Sequence, residues 1–592
     1  MSFGDFGYIE GEQLGRPYDL RLLKRLFPYL WPWRYRWLFG LIISLGLTFL
    51  DLIPPYLTKQ AIDHHILTGE LRGLSTLAFF LVMALSLNFG LQYLQVMVLE
   101  RLGQRVMHTL RMKLYAHLLS LPLSFFQHNP IGRVVTRVTN DIENLNEMVK
   151  SLLATLFKDI FLTLAIFGLL LALDFRLALV TFALIPLIFI SARLFSRKAR
   201  DAFRDLRRRI AQLNAFLQES LSGMSLIQIL VREKKRYDDF VSVNNQTYQA
   251  GMKQIQVFAL FLPLMELISV AAIALLIWYG GGQVVQKTLS LGTLVAFLSY
   301  IQMFFKPLRE MTEKYSVMQS AMASLERIFE LLDEGAEEEG KETDLEPVEK
   351  WAGKIEFQDV RFAYDSMNWV IKDLSFTIDP GETVAIVGMT GGGKSTLIRL
   401  LEGFYQPQGG RIVLDGRDLQ TIPKKVLRTR IGLVPQETFL FEGNLQDNVL
   451  LHSEKVSSMK WRELAETMHL GALLERNEPN LCRSLSAGEQ QLVALARVMV
   501  RDPAILVLDE ATSQIDAYTE MLVQDALGRL LSGRTALIIA HRLFTLRQAR
   551  RILVIHEGCL VEDGTHVDLM QKKGYYYRLY QLQFNKEIPG ID

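Results

Sequence analysis

The chain has 592 residues, with 65 Lys and Arg against 63 Asp and Glu, a formal charge of +2, 50% hydrophobic residues and a mean hydropathy of +0.17. That length exceeds what one hydrophobic core organises and points to several domains. The balanced charge gives no global electrostatic case for nucleic acid, and two cysteines, Cys482 and Cys559, argue against a disulfide scaffold and for a reducing compartment.

Residues 1–19 are polar and lack the basic-then-apolar layout of a cleaved signal peptide. Leu20–Leu30 carries Arg21, Lys24 and Arg25 among leucines and aromatics. It reads as an amphipathic helix on the cytoplasmic membrane surface, with Trp31, Trp33 and Trp37 suited to the interfacial belt. A helix packed on the rest of the protein is the alternative. Residues 1–36 are therefore expected to form a cytoplasmic N-terminus and interfacial helix.

Six apolar stretches follow, each near the roughly 20 residues that a membrane crossing needs. They are Trp37–Leu57, Leu74–Leu99, Met148–Leu173, Leu177–Phe195, Ile255–Gly280 and Leu291–Leu308. The connections Glu100–Glu147 and Ser196–Lys253 are long and basic, including Arg207, Arg208 and Arg209, which places them in the cytoplasm. Their helical periodicity predicts that the membrane helices continue beyond the bilayer. Asp51, Asn88, Lys158, Asp159 and Glu266 lie within the spans. A charge at the bilayer centre costs about 2.5–3.5 kcal/mol, so these residues mark either a substrate path or structural pairs. Residues 37–332 read as one transmembrane domain, and the acidic 333–350 as a linker.

From Lys354 the pattern becomes short β-rich runs alternating with helices, which predicts an α/β domain over 351–592 with a largely parallel core. The strand Thr383–Val387 leads into Gly388-Met389-Thr390-Gly391-Gly392-Gly393-Lys394-Ser395 and then the helical Thr396–Leu401. The pattern G-x-x-x-x-G-K-[ST] between a strand and a helix is a phosphate cradle. Gly388, Gly391 and Gly393 let backbone N–H groups close around phosphate oxygens, and the helix N-terminus adds positive potential. Lys394 is expected to reach the β- and γ-phosphates, Ser395 to hold Mg²⁺, and Thr396 to line the same site.

A second apolar strand, Ala504–Leu508, ends in Asp509 and Glu510. Asp509 is placed to hold Mg²⁺, and Glu510 to orient and deprotonate an attacking water. Between the two strands lies Leu485-Ser486-Ala487-Gly488-Glu489, and elsewhere Val434-Pro435-Gln436, Ser513-Gln514-Ile515-Asp516, Ala540-His541-Arg542 and Val360-Arg361-Phe362-Ala363-Tyr364.

These residues carry a family resemblance. Leu485–Glu489 resembles the signature of ATP-binding cassette proteins, Gln436 the Q-loop glutamine, Ser513–Asp516 the D-loop, His541 the switch histidine and Tyr364 the aromatic that stacks on adenine. The whole chain resembles an exporter half-transporter: an α-helical six-span membrane domain with long cytoplasmic helical extensions, followed by an α/β P-loop nucleotide-binding domain. The resemblance implies ATP and Mg²⁺ as ligands, with Gln436 sharing the metal, Ser486 and Gly488 touching the γ-phosphate, and Asp516 at the shared site. It implies a second half-transporter chain, because each ATP sits between one chain's phosphate loop and the other's signature. It points to Phe125–Arg133 and Glu219–Gln228 as cytoplasmic tips that touch the cassettes.

Departures qualify the resemblance. Ala487 and Glu489 stand where the consensus has Gly and Gln, the D-loop reads Ser-Gln-Ile-Asp, and Glu475–Arg483 lacks the usual glycine-acid segment. Homodimer and heterodimer both remain open, with the drifted signature leaning toward a heterodimer. The expected activity is ATP-driven export of amphiphilic or drug-like substrates across a bacterial-type inner membrane, with membrane lipid as surroundings and no nucleic-acid partner. A dedicated lipid or peptide exporter, or a regulatory ATP-binding subunit, are the alternatives.

Overall fold

A computed structural model describes residues 20–67, 69, 71–151, 157–337, 351–365, 368–389, 391–451, 457–476, 484–509, 516–540 and 543–584. The chain divides into two compact units, residues 1–121 with 129–335, and residues 122–128 with 336–592.

The first unit is helical. Its elements are α1 (Leu20–Leu30), α2 (Arg34–Gln60), α3 (Leu71–Ser120), α4 (Leu123–His128, which belongs to the second unit), α5 (Ile131–Thr136), α6 (Ile142–Lys150), α7 (Phe157–Leu173), α8 (Phe175–Phe182), α9 (Ile185–Ser222), α10 (Met224–Ile229), α11 (Glu233–Val285) and α12 (Leu291–Asp333). The six predicted spans fall in order on α2, α3, α6–α7, α8–α9, α11 and α12. Four helical stretches among the described residues, covering α1–α2, α3, α8–α9 and α11, are long and apolar enough to cross a membrane by length and composition. The fourth span differs from its expected form. It breaks at Ala183–Leu184 because Pro186, in the first turn of α9, cannot donate to a preceding turn. Asp174 restarts the chain as the cap of α8, accepting from the Leu177 amide at 2.8 Å.

Helices α3, α9 and α11 are 50, 38 and 53 residues long, so at 1.5 Å per residue each far exceeds a bilayer's apolar thickness. α9 and α11 pack along one another, with Phe195 stacked on Phe261 at 3.8 Å. α1 packs through buried Leu26, and Arg25 pairs with Asp333 at the end of α12 and covers the Phe329 ring.

Polar side chains cross-link the bundle where sequence alone offered two readings. Asp51 on α2 accepts from Lys158 Nζ of α7 at 2.9 Å and from Asn88 Nδ2 of α3 at 2.8 Å. Three spans thereby share one neutralised carboxylate, which satisfies charges that would otherwise be costly in hydrocarbon. Asp159 is half-buried, and Glu266 is exposed on α11. Tyr300 of α12, fully buried, donates to the Leu52 carbonyl at 2.7 Å. At the far end of the same helices, Asp63 accepts from Ser290 Oγ and Gly292 N at 2.6 and 2.8 Å and so caps α12. Asp141 is buried and held by Arg327 and Ser324 of α12.

The second unit contains two sheets. Strands β1 (Ile355–Phe362), β2 (Ile371–Ile378), β3 (Thr383–Val387), β4 (Gly409–Leu414), β5 (Arg417–Asp418), β6 (Ile431–Val434), β7 (Ile505–Asp509), β8 (Thr535–Ile539), β9 (Arg551–His556) and β10 (Cys559–Gly564) form an antiparallel sheet β2-β1-β4-β5 and a six-stranded sheet β10-β9-β3-β8-β7-β6. The latter is parallel except for the β9–β10 hairpin. Its central strands are continuous apolar runs because helices cover both faces, as parallel sheets require.

Candidate nucleotide site

The six-stranded sheet brings the separate motifs to one edge. Ile386 of β3 pairs with Ile539 of β8, Ile539 with Asp509 of β7, and Leu508 with Val434 of β6. The carboxyl ends of four adjacent parallel strands therefore deliver the phosphate loop, Asp509, Gln436 and the chain leading to His541 side by side. Open α/β sheets bind ligands at this edge, because the loops and helix N-termini gather there. Glu510 and His541 themselves lie outside the described residues, as does Thr390; the described chain stops at Asp509 and Ala540.

The phosphate loop runs from buried β3 into α13 (Lys394–Leu401), whose N-cap is Gly393 with φ +96°. Gly391 is also left-handed, at +84°. A side chain at Gly388 would meet the Ile555 carbonyl oxygen at 2.2 Å, so only glycine lets the loop pass there. Lys394 is buried, and its Nζ donates to the Gly388 and Met389 carbonyls at 2.7 and 2.9 Å. The ammonium thus curls over its own loop, where a phosphate oxygen can replace the carbonyls. Ser395 is exposed at the first turn of α13, and Thr396 beneath it is buried. A glycine-lined turn at a helix N-terminus with one buried lysine fits a polyphosphate.

Tyr364 is half-exposed and stands edge-on to Tyr405 at 5.2 Å. Its hydroxyl lies 3.1 Å from Thr396 Oγ1 and accepts from Arg399 at 3.2 Å, which ties this aromatic to α13. Gln436 is exposed just after β6. The segment beyond it is held to the helix Ala487–Arg501 by Arg497, which donates to the Asn448 and Phe439 carbonyls, each at 2.6 Å.

That helix begins at the signature. Ser486 is its N-cap, and Glu489 closes a capping box, accepting the Ser486 amide at 2.8 Å while Ser486 Oγ accepts the Glu489 amide. Arg476 pairs with Glu489 at 2.6 Å. The carboxylate that departs from the consensus is therefore both a cap and a neutralised charge, and Gly488 is buried beside it. Residues 477–483, within the shortened segment, lie outside the described residues. Asp516 caps the helix Ala517–Leu531 through the Thr519 amide at 3.0 Å, and that amide bond holds its carboxyl below the ordinary range.

Sequence reasoning missed Glu402. It ends α13, is 8% exposed, and burial pushes its carboxyl up to about 7, with Asp509 adding to the rise and Arg428 and Arg399 opposing it. No local pattern marks it, because its neighbours come from β7 and the helix Lys424–Arg430. In the folded chain the proton stays on up to about pH 7, but in the unfolded chain it leaves near 4.5. Stability conferred by the neutral form is thus complete below pH 4.5 and falls as pH rises to 7. Glu402→Gln is expected to flatten that decline in melts of the full-length protein and to be more stable than the parent at pH 8, by roughly 3 kcal/mol at most. A parent and variant with parallel pH profiles would contradict it.

Comparison with known proteins completes the picture. Residues 37–308 match the family model for the ABC transporter transmembrane region, and residues 371–513 the model for the ABC transporter itself. An ATP-dependent lipid A-core flippase of Syntrophus aciditrophicus is 32% identical over 577 residues, covering 96% of each chain. The chain belongs to the ABC transporter family. A "Probable multidrug resistance ABC transporter ATP-binding/permease protein" of Bacillus subtilis is 34% identical over 89% of this chain and 79% of its own. A "Fatty acid ABC transporter ATP-binding/permease protein" of Mycobacterium bovis is 35% identical over 85% and 80%. A bacterial Atm1-family ABC exporter solved with ATP bound superposes with a TM-score of 0.76 at 26% identity, over 94% of this chain and 99% of that one. This ABC transporter chain is accordingly an exporter half-transporter: a helical membrane domain fused to one ATP-hydrolysing cassette and embedded in a membrane, of a kind that typically pairs with a second chain.

Proposed function

We propose that this half-transporter uses ATP hydrolysis to export amphiphilic substrates across a bacterial plasma membrane. The observation that carries the reading is the convergence of the phosphate loop, Asp509 and Gln436 on one sheet edge, in a chain with six predicted spans of which the described helices give four long and apolar enough to cross a membrane. The printed functions of its relatives, lipid, drug and fatty-acid transport, share apolar bodies with polar heads, and that is the substrate class adopted here.

In this reading Gly388, Gly391 and Gly393 cradle the phosphates, Lys394 shifts from its loop carbonyls to the β/γ-phosphate oxygens, and Tyr364 offers a face to adenine. Glu510 takes a proton from the attacking water, Gln436 senses its position, and His541 contacts the γ-phosphate. Ser395, Gln436 and Asp509 would hold Mg²⁺, which when bound neutralises charge between the β- and γ-phosphates. Ser486, Gly488 and Asp516 serve the partner's nucleotide. ATP binding favours one global state of the pair and hydrolysis restores the other, a difference in affinity between two conformations.

The partner is a second copy or a related chain. The altered signature favours a related chain, since Glu489 places a carboxylate at the end of the helix that would face the partner's γ-phosphate, and Arg476 compensates it. The deciding experiment reconstitutes the chain, alone and with its partner, in liposomes. ATP-dependent movement of a fluorescent phospholipid or a lipophilic cationic dye is expected, and ATP turnover without movement of either would refute export. Full turnover and ATP-dependent dimers from the chain alone would settle on a homodimer.

A further inference from the structure

Strand β1 ends at Phe362, so Tyr364 stands on a loop, where ladder pairing no longer sets the position of a side chain. Two side chains from other elements set it instead. Gln408, immediately before β4, donates its amide nitrogen to the Ala363 carbonyl at 2.7 Å and accepts the Ala363 amide on Oε1 at 2.8 Å. Its own backbone amide donates to the Arg361 carbonyl at 3.0 Å, and the register pairs Arg361 with Gly409. Exchange of both bonds is what an antiparallel backbone pair makes. The Gln408 side chain thus carries the β1–β4 ladder on to Ala363, beyond the last pair of backbones.

The far end of the Tyr364 ring is held from α13. Arg399 Nη1 donates to Tyr364 Oη at 3.2 Å, and Thr396 Oγ1 lies 3.1 Å from the same oxygen. Thr396 and Arg399 are three residues apart on the helix and so present one face. The Phe362 and Tyr405 rings stand edge-on to Tyr364 at 4.9 and 5.2 Å, with interplanar angles of 87° and 89°. The aromatic is therefore fixed at its backbone and at its tip, yet it remains 42% exposed. Surface is left for a flat ligand, and a platform ordered in advance costs that ligand less to use.

We infer that Arg399 and Gln408 are positioning residues for the nucleotide base: they hold the Tyr364 platform beside the phosphate loop before ATP arrives. This rests on the reading above in which Tyr364 meets adenine. Neither residue is assigned to the phosphates or to the attacking water. Their loss therefore weakens ATP binding through its base and spares the chemical step.

The test is steady-state ATPase of the assembled transporter in proteoliposomes, with inorganic tripolyphosphate as a competitor that has phosphates but no base. Gln408→Leu and Arg399→Met should each raise KM for ATP roughly 3- to 10-fold, with kcat, melting temperature and inhibition by tripolyphosphate close to the parent's. Arg399→Lys, which keeps a donor, should recover most of the affinity. Tyr364→Phe should raise KM as Arg399→Met does, and the two together no further, because both remove the same bond. Tyr364→Ala should raise it on the order of 10-fold or more. A parent-like KM in both Gln408→Leu and Arg399→Met, with Tyr364→Ala impaired, overturns the inference alone. So does an equal loss of ATP and tripolyphosphate affinity, which would place the effect at the phosphates. A parent-like KM in Tyr364→Ala overturns the placement of adenine on Tyr364 and this inference with it.

Discussion

Replacement of Glu510 by glutamine is expected to lower ATP turnover on the order of 10²- to 10⁴-fold while leaving ATP binding intact. The amide keeps the size and a hydrogen-bonding oxygen but cannot take the proton of the attacking water. β7 delivers the chain at Asp509 to the same edge as the phosphate loop, and Glu510 is the next residue in the sequence. ATP should then accumulate uncleaved, and the two-chain assembly should stay in its ATP-bound state. The measurement is steady-state ATPase in proteoliposomes beside nucleotide retention on a desalting column. Unchanged turnover in the variant would remove Glu510 from the catalytic role.

Lys394→Ala should fail at an earlier step. Lys394 is buried over the loop and donates to the Gly388 and Met389 carbonyls, and a phosphate oxygen in their place accepts a stronger, charge-assisted bond. Loss of that bond is worth about 1.5–3 kcal/mol of binding, and turnover should fall on the order of 10²- to 10³-fold with it, as for other single donors to a developing anion. The contrast is diagnostic. The glutamine variant at Glu510 should retain ATP and the alanine variant at Lys394 should not. Lys394→Arg is not expected to rescue, since a planar guanidinium does not fit a buried slot shaped for one ammonium. Equal nucleotide retention by both variants would contradict the assignment of Lys394 to the phosphates.

Much of the architecture is legible from local pattern. An apolar run long enough to cross a bilayer announces itself, because hydrocarbon offers no alternative partner for the backbone, and the six runs lie on helices of the membrane unit. The phosphate loop is equally local: strand, glycines, lysine and helix are contiguous, and the observed φ angles at Gly391 and Gly393 are those glycine alone adopts easily. Pro186 was visible too, but the helical break it causes was not predicted within an otherwise unbroken apolar stretch.

What escaped sequence reasoning was every relation between distant segments. Asp51, Asn88 and Lys158 were visible as polar residues in spans, yet only three-helix packing made them one neutral cluster. Glu489 looked like drift from a consensus, and its capping box and bond to Arg476 give it a structural reason. Glu402 carried no signal at all, because its altered proton affinity comes from burial and from charges brought in by other elements.

The sequence by itself determined that this is a membrane-embedded ATPase of the cassette type, since hydrophobic length and the phosphate-binding turn are properties of contiguous residues. Tertiary structure alone decided which charges neutralise which and how four strand ends assemble one nucleotide edge. Those outcomes depend on burial and on distances between residues far apart in the chain. Neither quantity exists until the chain is folded.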